Sequence, residues 1–195
     1  MIATREGVRA VPDAARPLGG RSSAGGDPAA WDADTAVANL YAAHWRPLVR
    51  LAALLTGETS WAEEVVADAF VALHRRWPRL HDPQAAFGYL RASVVNGSRS
   101  VRRHRDVEVR RRLPGAPAPA GPEERALRTD EDARVVLALR RLPRRQQEVL
   151  VLRYYEDATE AEIAEALGIS RGAVKSHAHR GMSALRAALT EEGLL

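Results

Sequence analysis

The chain of 195 residues has no cysteine. That excludes a disulfide framework, a thiolate zinc site and a cysteine nucleophile, and it fits a reducing compartment. Lysine is almost missing: Lys175 is the sole lysine among 29 basic residues. The basic side is therefore arginine, the better fork for phosphates, carboxylates and base edges. Aromatic residues make up only 5%, and no segment alternates with period two for long, so a sheet has little to be built from. No stretch approaches the run of about 18 apolar residues that a membrane span needs. The start, "MIATREGVRAVPDAARPLGG", lacks the apolar core of a signal peptide. These absences predict a soluble, cytoplasmic protein without membrane insertion. No Gly-rich phosphate loop, metal cluster or Ser/His/Asp arrangement can be assembled, so no enzyme, cofactor or metal is expected.

What is there is helical. Apolar residues reach 46%, and Ala, Leu, Arg and Glu dominate, all of which favour helix. Residues 1–34, rich in Gly, Pro, Ala and Asp, read as a disordered arm. From Thr35, Val37, Leu40, Tyr41, Trp45, Leu48, Leu51 and Leu55 form one apolar stripe, with Asp34 or Thr35 as cap and Gly57 as stop. In "SWAEEVVADAFVALHRRW", Ser60 and Glu63 have the spacing of a capping box, and Pro78 ends the helix. A third helix, "AAFGYLRASVVNGSRSVRRHR", becomes strongly basic: seven arginines and two acids lie between Arg99 and Arg112. Residues 106–125, containing "LPGAPAPAGPEE", read as a stiff Pro/Arg-rich linker. Helices resume in "DEDARVVLALRRL" and "PRRQQEVLVLRYYE", with Pro143 near the first position of the latter. The expected fold is all-α, with two small domains over 35–105 and 126–190.

The C-terminal part reads as a helix-turn-helix. Thr159 and Glu162 supply a capping box, Gly168 the turn, and Ser170 the cap of the last helix. Val174, Ala178, Gly181, Met182 and Leu185 share one side and should pack on Ile163, Ala164, Leu167 and Ile169. The other side shows Arg171, Lys175, Ser176, His179 and Arg180, with His177 at its edge. A recognition helix offers such groups to base edges and phosphates. His177 and His179, two residues apart, point in nearly opposite directions and cannot share a metal ion.

Taken together, "WAEEVVADAFVALHRRW", "AAFGYLRASVVNGSRSVRRHR" and "LPRRQQEVLVLRYYEDATEAEIAEALGISRGAVKSHAHRGMSALR" resemble the group IV, or extracytoplasmic-function, sigma factors of the bacterial sigma-70 family. The resemblance spans about 35–188 and rests on order, spacing and layout. The last string alone also resembles the effector domains of LuxR-type response regulators. A stand-alone regulator would need a sensing domain, and the first half lacks the alternating strands and helices of a receiver.

The resemblance implies region 2 over 35–105 and region 4 over 126–190, with core RNA polymerase and promoter DNA as partners. Glu63, Glu64 and Asp68 would meet the β′ clamp helices. Region 4 would meet the β flap and read the −35 element through Arg171, Lys175, Ser176, His177, His179 and Arg180. Tyr89, Arg91, Asn96, Arg99, Arg102 and Arg103 would read and open the −10 element, with Arg105 as a further phosphate contact. Trp77 and Phe87 are candidate stacking groups, although the core is their favoured place. An anti-sigma factor is a partner of many relatives. Two departures stand out: Ala67 replaces a frequent polar amide, and Ser100 a frequent acid. Gly97 inside the third helix also runs against helix propensity, by up to about 1 kcal/mol relative to Ala.

Overall fold

Asp32 starts the first helix. Its carboxylate accepts from the Thr35 backbone N–H at 2.8 Å, so the cap lies two residues ahead of the nearer expected position, and Asp34 sits within the helix. The computed structural model describes residues 32–80, 82–111 and 130–192. Residues 1–31 of the expected arm, 112–125 of the expected linker and 126–129 of the expected second domain lie outside the described residues.

The first half is three helices: α1 (Ala33–Thr56), α2 (Thr59–Arg76) and α3 (Ala86–Arg111), with 3₁₀ turns at Trp77–Arg79 and Pro83–Ala85. Gly57 closes α1 in the left-handed region, at φ 90°, a conformation natural only to glycine. The expected cap at Ser60 does not form. Glu58 is the N-cap of α2, without a side-chain bond. The tight Gly57 turn delivers the chain directly into the helix, leaving no extended residue at position 60. Helix α3 runs on to Arg111, so residues 106–111, expected in the linker, continue the basic helix.

The second half is α4 (Asp130–Arg141), α5 (Arg144–Tyr154), α6 (Glu160–Leu167) and α7 (Arg171–Glu191). Pro143 is the N-cap of α5, one position earlier than expected. Its carbonyl accepts from Gln146 and Gln147, while its missing N–H costs nothing there. No strand occurs among the described residues.

Apolar spacing explains both cores. Leu48, Leu51 and Leu55 of α1 meet Val66, Phe70 and Leu73 of α2 and Leu90 and Val94 of α3. In the second half, α7 packs across α4, α5 and α6. The two cores are continuous, because α3 lies against α6 and α1 against α4 and α5. Trp77 and Phe87 are half-buried and pack against this core.

Gly97 has a packing reason. A Cβ at this position would lie 2.8 Å from Cγ1 of Val65, so α2 and α3 approach more closely than alanine permits. We predict that Gly97→Ala destabilises the fold by about 1–3 kcal/mol despite its better helix propensity. In a double-mutant cycle followed by denaturant unfolding, Val65→Ala should absorb part of that penalty.

Candidate nucleic-acid interface

The reading element is built by its caps. Thr159 Oγ1 accepts from the Glu162 N–H at 3.3 Å, and Glu162 Oε2 accepts from the Thr159 N–H at 2.8 Å. This is the capping box that the spacing predicts. Gly168, at φ 63°, makes the turn, and Ser170 Oγ caps α7 by accepting from Ala173 N–H at 3.1 Å. Val174 and Ala178 are buried against the element, as expected, and Gly181 is buried against α5. A Cβ on Gly181 would stand 3.1 Å from Gln146 and 3.2 Å from Leu150, so a glycine is what lets α5 and α7 touch.

That packing fixes the opposite face. Arg171, Lys175, Ser176, His179 and Arg180 are exposed. His177 is half-buried, and its Nδ1 turns inward without a hydrogen-bond partner among the described residues. Lys175 lies 3.7 Å from Glu160, a loose contact on the surface. Arg153, Tyr154 and Arg186 extend this face along a shallow groove with Lys175 and His179. Sequence reading missed all three, although Arg153 and Tyr154 stand in an otherwise apolar run.

The basic helix α3 is placed differently from expectation. The sequence places it against nucleic acid, yet three of its arginines, Arg91, Arg99 and Arg102, here reach the second half of the chain. Arg99 grips Glu148 with two hydrogen bonds of 2.8 Å, from Nε to Oε1 and from Nη2 to Oε2. Its Nη1 also donates to Asn96 Oδ1 at 2.9 Å. Arg102 donates to the Gln147 side-chain carbonyl. Arg91 is only 5% exposed, lies 3.1 Å from Glu162 and covers the Phe87 ring. Arg105 is tied to Glu58 at 2.6 Å within its own half. Arg103 is exposed, and Tyr89 is half-buried beneath Arg76.

Glu148 and Gln147 were not singled out from sequence, yet they are 2% and 0% exposed. Arg144 and Arg145 also reach Glu148, at 2.9 and 3.1 Å. The available signal was the polar "QQE" directly before the four apolar residues Val149–Leu152.

Helix α2 presents another surface. Glu63, Glu64 and Asp68 are exposed on it, while Val65, Val66 and Ala69 are buried. Trp61 and Val71 are exposed too and share the face of Glu64 and Asp68 at helical spacing. The face is thus acidic and apolar together, which the acids alone did not reveal.

Three carboxyls along the junction titrate in two senses. Burial pushes Glu148 up, but Arg99 and Arg144 outweigh it and hold the carboxyl below its ordinary 4.5. Glu162 is also held low, where Thr159 and Arg91 overcome burial. Glu156 is pushed up, chiefly by burial. A lowered carboxyl stabilises the fold above its unfolded value and loses that contribution as pH falls through the folded one. A raised carboxyl does the reverse. We predict stability that rises slightly as Glu156 protonates, then falls below about pH 4.5, the ordinary glutamate value. In pH-dependent chemical unfolding, Glu148→Gln should make that acid-side fall shallower.

The sigma-70 region 4 family model matches residues 132–185, which covers the helix-turn-helix and its supporting helices. The chain is 31% identical over 148 residues to the RNA polymerase sigma-E factor of Streptomyces coelicolor, covering 75% of this chain and 82% of the relative. It is 32% identical over 160 residues to the ECF RNA polymerase sigma factor SigL of Mycobacterium tuberculosis, covering 80% and 89%. The solved structure of CnrH in complex with the cytosolic domain of CnrY superposes with a TM-score of 0.61 at 25% identity, covering 82% of this chain and 95% of that one. The sigma factor RpoE of Bartonella quintana, solved with the anti-sigma factor NepR, shares the fold at a TM-score of 0.60, 18% identity and coverage of 78% and 96%. The chain belongs to the extracytoplasmic-function sigma factors of bacterial RNA polymerase.

Proposed function

We propose that α7 reads the −35 promoter element while α3 reads and opens the −10 element, both delivered to DNA by core RNA polymerase. The observation that carries this is the exposed face of Arg171, Lys175, Ser176, His179 and Arg180 on the second helix of a capped helix-turn-helix. Arg171, Lys175 and Ser176 occupy its N-terminal half, the part that reaches base edges when such a helix enters the major groove. Arginine and lysine donate to guanine acceptors, and serine serves base or phosphate. His177 flanks this set.

On α3, Asn96, Arg99 and Arg102 supply donors for bases and phosphates, Arg91 and Arg103 flank them, and Tyr89 is the aromatic group for an unstacked base. The α2 face of Glu63, Glu64 and Asp68, with Trp61 and Val71 beside them, is the docking surface for the β′ clamp helices. A mixed acidic and apolar face suits a partner helix with basic side chains around an apolar centre. Region 4 meets the β flap in the same reading. The chain itself catalyses no reaction; it selects where polymerase starts. No helix among the described residues is long and apolar enough to cross a membrane, in keeping with action beside polymerase in the cytoplasm. The solved RpoE relative is held by an anti-sigma factor, and a protein of that kind is a fitting regulator here.

The test is reconstitution with core polymerase on a promoter library, read as run-off transcripts. Transcripts that depend on the added chain are expected. Inert polymerase, with tight duplex binding by the chain alone, would overturn the reading. Lys175→Ala should cut −35-dependent initiation about 5- to 100-fold, the range for one base-reading side chain, while co-elution with core is unchanged. Glu64→Arg combined with Asp68→Arg should weaken co-elution and leave duplex binding by region 4 intact.

A further inference from the structure

The reading face of α7 is basic, yet one acid stands at its edge. Glu160 is the first residue of α6, and its two carboxylate oxygens are divided between two neighbours. Oε1 lies 3.5 Å from Nη2 of Arg153 on α5, and Oε2 lies 3.7 Å from Nζ of Lys175 on α7. The Glu160 side chain is 22% exposed, against 69% for Lys175, so the acid is the more fixed member of the pair. Its backbone is held by the capping box of Thr159 and Glu162, and the first turn of a helix favours a carboxylate. Arg153 grips it from the far side. Among the described residues, Lys175 is the one cation of the set Arg171, Lys175, His179 and Arg180 that is paired with an acid.

An acid beside a DNA-reading face repels phosphates and opposes binding that is indifferent to sequence. A lysine has the opposite tendency. Its ammonium is a point charge on a flexible stem, which any phosphate can satisfy. In a helix-turn-helix the first helix crosses the phosphate backbone while the second enters the groove. Glu160, at the start of that first helix, stands on the side of Lys175 where phosphates would pass. We propose that Glu160 is a positioning residue that makes Lys175 specific: its carboxylate bars the ammonium from settling on a phosphate and leaves the acceptors of a base edge as its outlet. The inference rests on the assignment of α7 to the −35 element. The separation of 3.7 Å suits this role. The ammonium stays within reach of the carboxylate, yet an exposed pair of this kind is weak enough to open when a guanine offers O6 and N7. The repulsive element is as much a part of such selectivity as the attractive one.

The test uses holoenzyme reconstituted from core polymerase and the full chain, on the promoter recovered from the library and on every single-base substitution of its −35 element. Lys175→Ala first locates the base position where discrimination depends on Lys175. Glu160→Gln keeps the shape of the side chain and removes its charge. It should lower the ratio of run-off rates, original base over substituted base, about three- to fivefold at that position, the range for one surface pair. Other positions should keep their ratios. In the Lys175→Ala background the same substitution should alter no base preference. On a duplex of unrelated sequence without polymerase, Glu160→Gln should steepen the fall of log affinity with log salt by about 0.9, the mark of one added phosphate contact. Full discrimination at the Lys175 position in Glu160→Gln would overturn the proposal. So would a loss that persists without Lys175, or one that falls at a different base, where Glu160 would itself be reading DNA. The −35 assignment survives all three results, because it is carried by the effect of Lys175→Ala. Should Lys175→Ala leave every base preference intact while transcripts still appear, that assignment fails, and the proposal with it.

Discussion

Glu148 is a carboxylate with almost no access to water, and the relation of the two halves turns on how it is satisfied. An isolated buried charge is costly. Here Arg144 and Arg145 come from the same helix and Arg99 from the other half. Arg99 does most to hold the carboxylate in its charged form and Arg144 comes second, so a buried charge on one helix is satisfied chiefly by a residue far away in the chain. A buried ion pair of this kind adds little net stability compared with an apolar replacement, but removing one partner is costly. Its two parallel hydrogen bonds with Arg99 join α5 to α3 at one register of the two helices.

The neighbouring contacts follow from that choice. Once α5 is seated on α3 and α1, α6 falls against α3 and Arg91 meets Glu162. The recognition face of α7 is left outward because its other side is occupied by α5 and α6. One family of residues thus sees solvent while the other sees protein. The exposed set on α7 and the covered set on α3 are both arginine-rich, and composition cannot separate them.

That limit marks how far the sequence could be read. Helix periodicity and capping residues revealed α1 to α7, and Thr159, Gly168 and Ser170 located the reading element to the residue, because these signals act within a few positions of chain. The start of α2 was misplaced to Ser60 because the Gly57 turn, not a side-chain cap, sets it. Gly97 looked like a helix defect until Val65 was seen against it, a contact 32 positions away in sequence. Gln147 and Glu148 went unnoticed since their burial depends on Arg99, Arg102 and the Leu54 carbonyl, all distant in the chain. The exposed set on α7 could be listed from spacing; the occupation of the α3 set could not.

Glu162 divides its labour between two oxygens. Oε2 receives the Thr159 N–H and hydroxyl at 2.8 and 2.7 Å, while Oε1 faces Arg91 at 3.1 Å. The first oxygen belongs to the start of α6 and the second to the junction. The oxygen that closes the capping box is therefore not the one that meets Arg91, and the start of the helix-turn-helix is shaped by two residues only three positions apart. A single carboxylate thus serves a contact three residues away in sequence and another about seventy residues away, with one oxygen for each.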